Sequence, residues 1–148
     1  GSYAARRHLQ SLHAYEFASV LLPYNDSMMR QPEYRNDFEQ LYSLCKEKEV
    51  GIQTIKSIAQ RRWNDSDTET HFSWYRPISD LTALKHAVHY VLSRPGLFLN
   101  TSSDANLLLP ILEAASRPIT EPSPETMRLD RESLSIEPLF VRGVTDEI

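Results

Sequence analysis

Small polar residues gather where an apolar run hands over to a helical pattern: Leu97 to Leu99 is followed by Asn100, Thr101, Ser102, Ser103 and Asp104. Hydroxyl and amide side chains beside the unpaired backbone N–H groups of a helix start favour an anion such as a phosphate. Ser103 and Asp104 also suit a helix N-cap, in which a side-chain oxygen accepts from the first turn. Lys56, at the end of another apolar run, reads on residue type alone as a solvated strand-end lysine. His86 and His89 lie three apart on one helical segment, but no carboxylate or cysteine stands beside them in the sequence at a metal-site spacing. No metal is expected. Serine, histidine and acids are present without a G-x-S-x-G elbow, so a hydrolase has no support. The single cysteine, Cys45, falls among Leu41, Leu44 and Val50 and reads as a packed thiol.

The elements that must position these residues follow from periodicity. Tyr3 to Leu12 places Ala5, Leu9 and Leu12 on one face of a short amphipathic helix. Ser19 to Tyr24 is an apolar run of strand length, ended by its proline and by the turn-forming Asn25 and Asp26. Asp37 to Glu47 returns to helical spacing through Phe38, Leu41, Leu44 and Cys45. Val50 to Ile55 alternates as a strand. No period survives between Lys56 and Ser79, which predicts a long loop anchored by Trp63, Trp74 and Tyr75. Leu81, Leu84, Ala87, Val88, Val91 and Leu92 make a helix, Pro95-Gly96 stops it, and a strand at Leu97 to Leu99 leads into a last helix ending near Ala115. Three prolines between Ser116 and Pro124 predict an extended crossing segment. One or two helical turns follow over Glu125 to Leu134, then an apolar stretch, Ile136 to Val141, able to dock.

The order is α, β, α, β, α, β, α and an irregular tail, an α/β arrangement with a parallel sheet whose loops at the strand C-termini carry the site. Three strands cannot close a barrel and leave two edges and an apolar inner surface to be covered. The domain expected is 1–117, with 118–148 as the tail. A length of 148 residues, 41% hydrophobic and 24% charged, suits one globular domain. The net charge of -4 leaves Arg61-Arg62 as the main basic spot, so nucleic acid is not an expected partner. No apolar run approaches the roughly 20 residues of a membrane span, and a lone cysteine fits a reducing, cytoplasmic setting.

VLLPYN (Val20 to Asn25), VGIQTIKSIA (Val50 to Ala59), WYRP (Trp74 to Pro77), HAVHYVLSRPGLFLNT (His86 to Thr101) and NLLLPILEAA (Asn106 to Ala115) together resemble the second half of an aldo-keto reductase. The resemblance runs to about Arg117 and rests on the order and spacing of these segments. It implies a partial (β/α)8 TIM barrel, with the three strands here corresponding to the sixth, seventh and eighth. It also implies a parent that reduces a carbonyl with NADPH. The family's catalytic Asp, Tyr, Lys and His belong to the first half of the barrel and have no counterpart here, so no residue of this chain is assigned a catalytic role.

What the resemblance transfers is part of the cofactor site. The pyrophosphate loop maps to Lys56, Ser57, Ile58 and Ala59, with Arg61 and Arg62 just beyond, and the adenosine-phosphate loop maps to Asn100, Thr101, Ser102, Ser103 and Asp104. A cation and exposed amides are what a pyrophosphate requires. The chain differs from the family at Leu21, where a glutamine commonly contacts the nicotinamide, and near Leu107 or Leu108, where an arginine commonly holds the 2′-phosphate. The partners implied are the missing N-terminal half-barrel and, in the parent, a small carbonyl substrate. The alternative is a non-catalytic half-barrel that self-associates as a binding or assembly module.

Overall fold

A computed structural model describes residues 5–145. The expected helix start at Tyr3 and the charged terminus Asp146-Glu147-Ile148 lie outside the described residues. Three parallel strands form the central sheet: β1 (Ser19–Pro23), β2 (Gly51–Ile55) and β5 (Leu97–Leu99), in the order β1-β2-β5. The register pairs Val20 with Ile52 and Ile52 with Leu97, which sets three apolar side chains in a row on one face. That row packs with Leu22, Tyr34, Phe38, Leu41 and Cys45 in a core shared by helices α1 (Ala5–Ala14) and α3 (Pro32–Glu47). The opposite face carries Leu21 at 45% exposure and Phe98 at 61%. The sheet is thus covered on one side only, although parallel strands are ordinarily buried on both.

Two helices refine the sequence-based order. A short α2 (Asp26–Met29) follows β1, started by the Asn25 side chain accepting from the Met28 amide. Helix α3 begins at Pro32, earlier than the Asp37 expected, because proline at the first helical position needs no N–H partner. Helix α4 (Leu81–Leu92) starts where Asp80 accepts from the Ala83 amide at 2.9 Å. It stops before Pro95 and Gly96, and Gly96 takes the left-handed φ of 80° that turns the chain into β5. A single 3-10 turn (Ala105–Leu107) leads into α5 (Leu108–Ser116). Ile58, Ile78, Ala83, Leu84, Ala87, Val88, Leu107, Ile111 and Ala114 make a second core between α4 and α5.

The stretch expected as a loop from Lys56 to Ser79 is instead built around an antiparallel hairpin, β3 (Ala59–Arg62) with β4 (Tyr75–Pro77). Its strands are short, irregular at Ala59/Arg61, and rich in arginine, so no alternating apolar pattern marks them. Their pairing is braced by side chains: Arg61 donates to both oxygens of Asp67 at 2.7 and 2.8 Å, and Arg76 donates to Asp67 at 2.8 Å. β2 is therefore followed by a hairpin before its helix, which departs from the simple strand-helix alternation.

Beyond Arg117, α6 (Pro124–Leu134) is a full helix capped by Ser123, longer than the one or two turns expected. The apolar segment after it does dock: Leu139 and Phe140 are fully buried in the first core. Glu137 N donates to Gln60 O at 2.8 Å, Arg62 Nε to Leu139 O at 2.9 Å and Gln31 Nε2 to Phe140 O at 2.8 Å. Among the described residues no helix is long and apolar enough to cross a membrane.

Candidate phosphate site

Because the three strands run parallel, the loops after Pro23, Ile55 and Leu99 emerge at one end of the sheet. Hydrogen bonds stitch them together. Asn25 Nδ2 donates to Lys56 O at 2.9 Å, and Asn100 N donates to Thr54 O at 3.0 Å. The residues proposed from sequence in two separate segments, 56–59 and 100–104, are thereby neighbours.

Lys56 adopts a left-handed backbone, φ 60°, at a cost of about 1 kcal/mol or more for a residue with a Cβ. The conformation is held by Asn25 on its carbonyl and by Ala59 N, which donates to the same oxygen at 3.1 Å. Between these anchors the Ser57 and Ile58 amides find no acceptor among the described residues. Consecutive unpaired N–H groups in a turn of this kind make an anion-binding concavity. The side chains of Ser57, Ile58 and Ala59 are buried. Ser57 Oγ donates inward to Thr54 Oγ1 at 3.1 Å, and Thr54 Oγ1 donates to Phe98 O at 3.2 Å.

The expectation of a solvated Lys56 is overturned: the residue is 8% exposed. Its Nζ lies 5.0 Å from the Trp74 ring centroid and 5.5 Å from that of Phe140. The aromatic faces attract the ammonium, while burial lowers its pKa from the ordinary lysine value. No carboxylate among the described residues pairs with it.

The two arginines beyond it have different partners. Arg61 is engaged by Asp67, whose carboxyl is held well below the usual range by that hydrogen bond. Arg62 donates to the docked segment at Leu139 and lies 5.8 Å from Trp74 and 5.6 Å from Phe140.

On the second loop, Asp104 is an N-cap, accepting from Asn106 N at 3.0 Å, and Ser102 Oγ accepts from Asp104 N at 3.1 Å. Ser103 Oγ donates to Phe72 O at 3.1 Å, tying this loop to the hairpin. Thr101 is exposed, and Asn100 Nδ2 donates to Gln53 Oε1 at 3.3 Å. Sequence reasoning named Trp74 as a loop anchor and Phe140 within a segment able to dock, but no period placed either of them over Lys56. Asn25 was legible only as a turn residue, though its position after a strand and before Ser27 and Met28 is an N-cap pattern.

Other sequence candidates resolve into structure. Cys45 is fully buried, and burial pushes its thiol up to about 11, which suits packing and leaves little thiolate for chemistry. The two histidines diverge. His86 Nδ1 meets Asp130 Oδ2 at 2.8 Å, a carboxylate far away in sequence. Buried His89 accepts from Thr120 N at 3.2 Å through Nδ1, so its Nε2–H donates to Ala114 O at 3.0 Å. It clamps α4 to α5 and to the crossing segment. Among the described residues no cluster of His, Cys, Asp and Glu is arranged to hold a metal ion. No family model, no curated protein and no solved structure matches the chain.

Proposed function

We propose that this chain is the cofactor-phosphate part of an aldo-keto reductase-like oxidoreductase, a partial (β/α)8 barrel whose parent reduces a carbonyl with NADPH. The observation that carries the reading is the juxtaposition of two unpaired amides in the 56–59 turn with the hydroxyl-rich 100–104 loop on neighbouring parallel strands. Turn amides take the pyrophosphate, Lys56 supplies positive charge, and Thr101 and Ser102 offer hydroxyls. Hydride would come from the cofactor itself. This chain's contribution is to hold and orient it, and the proton donor belongs to residues outside this chain.

Titration calorimetry with pyrophosphate and with NADPH tests the reading. The chain alone is expected to bind both weakly, to lose at least about tenfold in affinity on Lys56→Met, and to turn over no carbonyl. Absence of binding to either ligand defeats the proposal, and so does turnover by the isolated chain.

A second reading, an assembly module, is favoured by one specific observation. The sheet leaves the outer edges of β1 and β5 unpaired and Leu21 and Phe98 bare on the inner face. Native mass spectrometry separates the two: a stable self-pair unaffected by pyrophosphate favours the module, and binding of a second polypeptide carrying the missing strands favours the divided barrel.

A further inference from the structure

A cleft of the described chain opens beside the end of β1, against Tyr24, Asp26, Met29 and Arg30. It encloses about 590 Å³ between α3, the end of α4 and the segment around Glu121 to Met127. That is within the size range of small-molecule sites, roughly 300 to 1,000 Å³. Its lining is divided by chemistry. Tyr24 and Tyr90 stack at a centroid distance of 5.2 Å, and with Met29 and Met127 they provide an aromatic and apolar wall. Burial raises the pKa of both phenols, so they remain donors at neutral pH.

The charges around this wall do not cancel pair by pair. Arg94 donates to both oxygens of Glu39, at 2.8 and 2.5 Å, and lies 4.1 Å from the Tyr42 ring centroid. Asp26 is paired with Arg131. Each of these acids carries its own guanidinium. Arg30 and Arg35, also on the lining, make no side-chain hydrogen bond among the described residues; Arg35 acts through space on Glu39, and Glu121 is the remaining acid of the lining. Two exposed guanidiniums with no hydrogen-bonded carboxylate, beside a stacked aromatic wall, match an anion with a flat apolar body, because arginine grips phosphate or carboxylate oxygens in a fork while the rings cover the hydrocarbon.

We propose that this cleft is a binding site for a small aryl or acyl anion, a phosphate ester or carboxylate, separate from the candidate cofactor loops and independent of the function proposed for them. The anionic group sits between Arg30 and Arg35, and the apolar body lies against Tyr90 and Met127.

Phenyl phosphate is the probe, followed by two-dimensional amide NMR on the full chain. Saturable binding is expected, with shifts at Arg30, Arg35, Tyr90 and Met127. The double variant Arg30→Gln/Arg35→Gln should lose at least about tenfold in affinity. Both side chains are solvent-facing, so the variant should retain the native spectrum elsewhere. Absence of saturable binding overturns the proposal, as do shifts confined to 56–59 and 100–104 or an affinity unchanged in the double variant.

Discussion

Lys56 and Glu39 illustrate how neighbours decide what a charged residue does. Lys56 is held in a left-handed turn under two aromatic rings, and the residue type alone gave no hint of either. Glu39 lies on the cleft wall with its carboxyl pKa lowered, first by the hydrogen bond from Arg94. A carboxyl whose native pKa lies below its ordinary value of 4.5 contributes stability that is complete above that value and is lost as pH falls through the native one. Since Glu39 is 46% exposed, solvent screening limits this to about 0.5 kcal/mol. Urea midpoints measured from neutral pH down through the carboxylate range should therefore fall more steeply for the wild type than for Glu39→Gln. The gap between the two should close at the acid end. A constant gap across the range would show that the ion pair adds nothing.

Among the elements, the segment after α6 behaves differently from an ordinary terminal tail. Phe140 is fully buried, its carbonyl accepts from Gln31 and its ring faces Lys56, so it joins the first core to the candidate phosphate turn. Phe140→Ala should cost about 3 to 5 kcal/mol, the range for removing a large buried aromatic. Thermal denaturation followed by circular dichroism would measure it. A loss below about 1 kcal/mol would mean that the segment is not part of the cooperative core. The hairpin β3/β4 has the opposite character. Few apolar side chains support it, and its geometry depends on Arg61, Asp67 and Arg76 together with the Ser103 link to Phe72.

For the whole molecule, the one-sided sheet is the dominant feature. Leu21 and Phe98 are exposed on a face that parallel strands normally bury, and the outer edges of β1 and β5 pair with no further strand of the described chain. The isolated chain is expected to self-associate and to bind a hydrophobic dye such as anilinonaphthalene sulfonate. The double variant Leu21→Lys/Phe98→Lys should shift sedimentation toward a 17.1 kDa monomer and reduce the dye signal, while circular dichroism stays unchanged. A monomeric wild type with no dye uptake would remove the argument for a partner on this face.

The sequence by itself determined the three strands and the helices whose apolar residues recur at a fixed period, because Val20, Leu22 and Ile52, or Leu84, Ala87 and Val88, must share a face to be buried. It also marked the packed state of Cys45 and the capping role of Asp104, since both follow from local neighbours. Tertiary structure alone decided the hairpin, whose short arginine-rich strands have no apolar alternation, and the pairing of His86 with Asp130 across 44 positions. It decided as well that Lys56 is buried and that its turn lies beside the 100–104 loop. Those relations depend on parallel strand register and on a docked C-terminal segment, and both are long-range contacts that no local spacing encodes.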